Sequence, residues 1–527
     1  MARYCVSLSC SLLGVCWIAL CPGALSGQQT SAPFRPVVPR TWDDASIQTL
    51  EVPLAHAPAS PVHVNASYYY RIPVRPIYRS YPVYEMRREP KGYWKWLQNR
   101  EPVILWDDSG HRPPLQTEAD WIKAGELVFQ APISFDTEGF LPELRDPNSE
   151  MYRATGVPLT REGVNPFVHW VIREKGKVEL GFGDCAECHS RVMPDRMVVR
   201  GAQGNPAIDR AIGFALPRQL ARAPDKQKFL EFIRQGERAQ FETPWLKQGE
   251  GWLDYTHMSV QEIAARHSAI PGTMFARQRA SVLYPPHIPD LIGVRDRKYL
   301  DASGLVQQRN IGDLMRYAAM NQGGDLLSNF GGFVPVGANF KTLPDPDKIS
   351  PSIGIPDRYS DEQLYALALY IYSLRPPANP NPFNSLASQG QTIFQREDCS
   401  VCHPAPLYTN NMLTPAQGFS PPETSKKYDV LRVNVGTDPG LTMLTRRGTG
   451  YYKVPSLQGV WYRSMFGHSG WCATLEDWFD QRRLRSDYTP TGFKGYGIQR
   501  RAVKGHEFGL TLSAEEKKAL IAFLNTL

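Results

Sequence analysis

Apolar side chains recur at helical spacing over residues 361–374 and 514–527, and the two stretches align with each other. Each opens on a capping box, Ser360-Asp361-Glu362-Gln363 and Ser513-Ala514-Glu515-Glu516, in which Ser accepts from a free amide and Gln or Glu reaches back. Ala366-Leu367 aligns with Ala519-Leu520, and Leu374 with Leu527. Pro376 and Pro377 stop the first helix. A second pair of predicted helices carries Lys123-Ala124-Gly125-Glu126-Leu127-Val128-Phe129 and Ser388-Gln389-Gly390-Gln391-Thr392-Ile393-Phe394, with Gly and Phe at matching offsets. Elsewhere, Ser67-Tyr68-Tyr69-Tyr70-Arg71-Ile72 and Tyr81-Pro82-Val83-Tyr84 predict short strands or extended loops.

The repeat divides the chain. One unit spans about 115–378 and the other 385–527, joined by a Pro- and Asn-rich linker at 379–384. The first unit is enlarged, with about fifty residues between Phe129 and Cys185 against four between Phe394 and Cys399. Residues 27–114 form a Pro-, Tyr- and Arg-rich extension with no functional reading. Residues 1–26 read as a signal peptide: Arg3, an apolar run from Ser7 to Leu20, and small residues at Ala24-Leu25-Ser26. An uncleaved anchor is the alternative, but the run is short against the ~20 residues a bilayer requires. Cys16 and Cys21 raise a lipoprotein reading, against which Val15 and Leu20 stand where a small residue is needed. After cleavage no apolar stretch is long enough to span a membrane, and the mature chain is expected in the periplasm or secreted.

The 527 residues include 42% hydrophobic and 21% charged side chains, which excludes wholesale disorder and fits two or three domains. A net charge of +7 over 59 cationic side chains is too diffuse to indicate nucleic acid. The nine cysteines are more informative. Four lie in the signal segment, leaving Cys185, Cys188, Cys399, Cys402 and Cys472. Cys185-Ala186-Glu187-Cys188-His189 and Cys399-Ser400-Val401-Cys402-His403 are both CxxCH. Two thiols three positions apart at a helix start can both add to the vinyl groups of one haem, and the adjacent His becomes the proximal ligand of the iron. Zinc would require four ligands in a closed site, a thioredoxin-like pair would want a βαβ setting, and a chance string is less plausible for two motifs than for one. Two covalent c-type haems, held by Cys185, Cys188, Cys399 and Cys402 with His189 and His403 on the irons, are therefore expected. Cys472 reads as a small buried thiol. The expected fold is mainly α: two tandem cytochrome c-like domains with long loops and few short strands.

From about Thr117 onward the sequence resembles the bacterial di-haem cytochrome c peroxidase superfamily. Beyond the haem motifs, the resemblance rests on Tyr452-Lys453-Val454-Pro455-Ser456-Leu457-Gln458-Gly459-Val460-Trp461, Phe466-Gly467-His468-Ser469-Gly470 and Ala473-Thr474-Leu475-Glu476-Asp477. It implies one electron-transfer haem and one that reacts with peroxide or dioxygen. Two departures set the chain apart: the family's Met ligand falls on Arg482, and its His sixteen residues after the first proximal His falls on Asn205. Gly505-His506-Glu507-Phe508-Gly509 is similar to the segment that supplies the distal His of the C-terminal haem in the di-haem rubber oxygenases, a branch whose N-terminal haem stays open on one side. Some relatives hold calcium between the domains, and nothing in this sequence supports such a site.

His506, His468, Met443 and Met465 are the candidates for the second iron. His506 is preferred, fixed just ahead of the Ser513 cap, and His468 is assigned beside the haem edge. For the first iron, His257, His267, His287, Met193, Met258 and Met274 have no supporting offset; His287 reads as a loop residue within Tyr284-Pro285-Pro286-His287-Ile288-Pro289, and the iron is expected to be five-coordinate or weakly six-coordinate. Trp461, Trp471 and Trp478 read as core before they read as electron carriers. The expected function is an exported di-haem oxidoreductase taking a small-molecule oxidant, with a small redox protein as electron donor. The alternatives are a non-enzymatic electron carrier and a dioxygenase acting on an apolar substrate. Peroxide cleavage would want an acid or base within hydrogen-bond reach, and no motif supplies one.

Overall fold

The computed structural model describes residues 33–56, 61–63, 66–136, 138–243, 245–246, 252–277, 280–321, 328–330 and 357–527. The expected signal segment at 1–26 lies outside the described residues. Among those described, no helix is long and apolar enough to cross a membrane.

The architecture is mainly helical, with few and mostly short antiparallel strands. In chain order, the parts that position the site begin with helix α1 (Ala66–Arg71) and strand β1 (Ser80–Tyr84). Helix α2 (Glu118–Phe129), strands β2 (Ser134–Asp136), β3 (Val164–Glu174) and β4 (Lys177–Phe182), and the one-turn helix α3 (Cys185–Cys188) follow. Then come α4 (Ile208–Arg222), α5 (Lys226–Phe241), α6 (Val260–Ser268) and α7 (Asp361–Ser373). The chain closes with α8 (Ser385–Arg396), the one-turn α9 (Cys399–Cys402) and α10 (Ala514–Leu524).

One sequence expectation is corrected. Ser67–Ile72 does not form a strand or extended loop but falls largely within α1. Tertiary packing overrides the β preference of consecutive tyrosines: Tyr69 is buried edge-on against Trp42, and the Tyr70 hydroxyl donates to Asp361. The enlarged interval before Cys185 is not merely loop. It folds β3, eleven residues long, against β4, within a four-stranded antiparallel sheet of order β1-β3-β4-β2. Tyr81–Tyr84 is a strand as expected, lying in β1.

Both capping boxes form, on Ser360 with Gln363 and on Ser513 with Glu516. The helices they open make two crossings built alike. α2 packs on α7 so closely that a Cβ on Gly125 would lie 2.0 Å from the Ala366 carbonyl oxygen and 2.7 Å from Tyr370 Cβ. α8 packs on α10 so that a Cβ on Gly390 would lie 1.9 Å from the Ala519 carbonyl oxygen and 2.8 Å from Phe523 Cβ. Phe129 and Phe394, one turn on, are buried beside Tyr370 and Phe523. The first crossing sits in a core with Trp121, Leu364, Ala186 and Leu291; the second in a separate cluster with Leu475, Phe479 and Leu520. Residues from the N-terminal extension, among them Trp42, Leu50, Ile77 and Trp106, bury into the first of these cores.

Gly125→Ala and Gly390→Ala should each destabilise the protein. The helix-propensity gain of about 1 kcal/mol is outweighed by a clash with backbone that cannot rotate away, for which a net loss of about 2 kcal/mol is expected. Denaturant unfolding measures it, and a neutral or stabilising result would contradict the crossings.

Candidate functional site

The first motif is positioned by hydrogen bonds around one helical turn. Asp184, buried, caps α3 by accepting from the Glu187 amide at 2.8 Å, and Glu187 in turn accepts from the Gly183 amide at 2.6 Å. Cys185 and Cys188 form no disulfide and are part-buried on this turn. His189 donates from Nδ1 to the Pro289 carbonyl at 2.9 Å. A carbonyl only accepts, so the neutral ring carries its proton on Nδ1 and keeps the Nε2 lone pair free. Burial lowers the His189 pKa to about 4, so the ring is neutral at ordinary pH.

The second motif repeats the histidine bond but not the cap, since Asp398 makes no side-chain cap on α9. His403 donates from Nδ1 to the Tyr408 carbonyl at 2.9 Å, and burial lowers its pKa as well. Cys399 packs against the apolar cluster of α8 and α10. His506 is brought to the same region. Burial, reinforced by the neighbouring His403 and Arg483, lowers its pKa to about 4, and its Nδ1 is enclosed without a hydrogen-bond partner. Its ring meets Trp478 edge-on at 5.3 Å. The loop is held by the buried Arg483, whose guanidinium donates to the carbonyls of Trp478, Val503 and His506.

One segment braces both histidine loops. Ser456 Oγ donates to the Leu407 carbonyl at 2.6 Å, the Leu457 amide to Tyr408 at 3.2 Å, and Gln458 Nε2 to Pro406 at 3.0 Å. A few residues on, the Tyr462 hydroxyl donates to Asp290 Oδ2 at 2.7 Å, and Arg463 donates to the same oxygen at 2.9 and 3.1 Å. Asp290 directly follows the Pro289 that holds His189.

A cavity of about 640 Å³ opens against the first motif, with Cys185, Cys188 and His189 on its wall. Much of the rest is apolar, including Ile133, Leu144, Phe167, Leu180, Leu216 and Ile233. Two carboxylates also reach this region through a buried cluster. His267 is hydrogen-bonded by Asp209 at 2.6 Å and by Glu237 at 3.0 Å, and Glu237 and His267 line the cavity. Carboxylates at both ring nitrogens favour the imidazolium, while burial raises the Asp209 pKa and works against full charge separation. Burial opposes that charge, but the bonds to Asp209 and Glu237 outweigh it and raise the His267 pKa to about 10.

The remaining candidates divide by environment. His257 is exposed beside Asp254. His287 lines the cavity, but its Nε2 donates to the Gly467 carbonyl at 2.6 Å. His468 is stacked on Tyr452 at 4.2 Å and lies 3.8 Å from Asp438. Met258 and Met274 are buried in an apolar cluster that Met465 packs against, Met193 packs against the core of α2 and α7, and Met443 accepts from His56 through its carbonyl. Trp471 and Cys472 are buried in the same cluster as Met274. Asn205 pairs with the backbone of Val192, and Arg482 pairs with Asp480 at the surface. Sequence reasoning missed Asp209, Glu237 and Asp290: each meets its partner across 30 to 173 positions, a separation no local pattern reports.

No protein-family model matches the chain, and no curated protein matches it. Among solved structures, weak overlaps occur with Kuenenia stuttgartiensis hydrazine synthase pressurised with xenon, at 15% identity, 59% of this chain, 92% of that one and a TM-score of 0.28. A MauG-like protein associated with microbial copper homeostasis overlaps at 19% identity, 46% of this chain, 73% of that one and a TM-score of 0.26. Overlaps of this size do not define a shared fold.

Asp290→Ala would leave Tyr462 and the part-buried Arg463 without their shared acceptor, and a loss of about 3–5 kcal/mol in denaturant unfolding is expected. A pH test addresses His267. Its folded pKa of about 10 lies above the unfolded value of about 6.5. The stability it contributes is therefore complete below pH 6.5 and is lost as the pH rises towards 10. The difference in Tm between the wild-type protein and His267→Gln should shrink steadily over that range.

Proposed function

We propose that the chain is an exported di-haem c-type cytochrome acting as an oxidoreductase, with two tandem cytochrome c-like domains about residues 115–378 and 385–527. The observation that carries this reading is the cavity against Cys185, Cys188 and His189. The residues fit a covalently held haem: two thiols outside any disulfide on one helical turn, next to a neutral imidazole whose Nε2 lone pair is uncommitted. The second motif offers the same set, with His506 close to His403 and its Nδ1 enclosed and unpartnered.

In this reading Cys185 and Cys188 anchor one haem and Cys399 and Cys402 the other, with His189 and His403 as proximal ligands. His506 would be a further ligand for the second haem. Bound there, the haems supply one open iron position for a small oxidant and one closed iron for electron transfer. The carbonyls of Pro289 and Tyr408 hold each proximal ring in the tautomer that can ligate, and the apolar wall excludes bulk water. A small redox protein is the proposed electron donor, and the periplasm or the cell exterior the proposed location. The size and apolar lining of the cavity favour one second reading, an oxygenase acting on an apolar substrate. Incorporation of labelled dioxygen into product separates it from a peroxidase.

Acidified organic solvent should leave two equivalents of haem on the denatured chain, counted by pyridine haemochrome. Paramagnetic resonance of the ferric protein should show one high-spin and one low-spin centre, and His506→Ala should convert the low-spin centre. Colour that leaves with the solvent would sink the reading. Two low-spin, CO-inert haems would replace it with an electron carrier.

A further inference from the structure

Among the described residues of the cavity wall, those exposed to solvent are Phe232, Gly236 and Gln240. They stand four positions apart on α5, so they form one stripe along a single helix face. Ile233 and Glu237, each one position on, also line the cavity but are part-buried and buried. This gradient across α5 marks where the cavity meets the surface. The helix itself is fixed. Asp225 caps its start by accepting from the Lys228 amide at 2.9 Å, and Arg234 donates to the Met258 carbonyl at 2.8 Å. Ile233 packs against the apolar cluster that holds Leu216 and Phe241.

Gly236 occupies the middle of the stripe, and nothing in its packing demands a glycine. At Gly125, Gly213 and Gly390 a Cβ would meet the carbonyl oxygen of a neighbouring helix at 2.0, 2.5 and 1.9 Å. A Cβ on Gly236 would meet nothing within 4 Å. Its φ is not positive either, so no left-handed turn requires it. A glycine inside a helix is otherwise unfavourable relative to alanine. What it provides here is space. Phe232 and Gln240 lie about 12 Å apart along the helix axis, and no side chain stands between them. Phe232, 70% exposed, borders the gap with an apolar ring. The cavity behind carries Phe140, Ile212 and Leu216, together with Cys188 and His189 of the first motif.

We propose that this stripe of α5 is the entrance of the cavity and that Gly236 sets the width of the molecule that can pass. The inference rests on the di-haem reading above and adds to it a residue that selects by size. The class admitted is a slender, largely apolar molecule. Selection is steric, because of the three residues at the mouth only Gln240 carries a hydrogen-bonding side chain. A side chain at position 236 would stand in the gap and exclude wider molecules before narrower ones.

The test uses the purified ferrous holoprotein and probes that bind haem iron through a terminal carbon without a redox step: carbon monoxide and methyl, n-butyl and tert-butyl isocyanide. Association is followed by rapid mixing at the haem absorption band. Gly236→Leu should slow n-butyl isocyanide about 10-fold, slow tert-butyl isocyanide further, and leave carbon monoxide unchanged. Gly236→Met carries the test should leucine disturb the fold. Gly236→Ala should raise the denaturation midpoint, as a helix propensity gain without a clash requires, and leave n-butyl isocyanide unaffected. Gln235→Leu is the control, exposed on the same helix but off the cavity wall, and should change none of the rates. Unchanged n-butyl isocyanide association in both bulky Gly236 variants would overturn the inference while the haem count stands. So would a slowing that is equal for every probe, or one that Gln235→Leu reproduces. A wild type that holds two haems but binds no probe would overturn it and the open-iron assignment together. Absence of covalent haem by pyridine haemochrome would bring down the reading beneath it, and the inference would fall with that reading.

Discussion

The segment from Ser456 to Arg463 holds two distant loops in register, and the geometry of both motifs depends on it. Its first three residues grip the loop of Pro406, Leu407 and Tyr408, and its last two grip Asp290. Arg463 also donates back to the Ser456 carbonyl at 2.8 Å, which closes the segment on itself. Tyr408 and Pro289 supply the carbonyls that orient His403 and His189. A displacement of this one brace would therefore be felt at both imidazoles. The buried charge of Asp290 makes slippage costly, since any alternative position would leave a carboxylate or a guanidinium unpaired out of water.

The two glycine crossings explain why so much of the helical framework could be read from residue order alone. A capping box, a glycine and a phenylalanine four residues after it are local signals, and each reports a local requirement. The alignment of Gly125 with Gly390, and of Ala366 with Ala519, carries through to contact: each glycine rests on the backbone of its aligned alanine. CxxCH was legible for the same reason, because its geometry is complete within five residues. The tyrosine-rich tract at α1 was misread because its conformation is decided by Trp42 and Asp361, which lie outside any local window. The long hairpin of β3 and β4 was likewise hidden in an interval whose length alone was informative.

The chemistry of the cavity shows the same division more sharply. His189 was found by its motif. Glu237 carries no motif; it is buried on one helix, and a second helix presents His267 to its Oε1. His267 stood among the candidates for iron ligation, but both of its nitrogens are committed to carboxylates. His506 kept a supporting environment, because Arg483 clamps its loop with three backbone acceptors and Trp478 closes over its ring.

The N-terminal extension has a consequence for the order of assembly. Thr41 bonds Asp361, 320 positions downstream, and its carbonyl accepts from Arg316, while Trp42 and Leu50 enter the core that holds Ala186. A chain that lengthens from its N-terminus displays these early residues long before their partners exist. Closing so large a loop is entropically slow, so this side of the molecule seals late. On the proposed reading, a group destined for Cys185 and Cys188 would have that interval in which to enter.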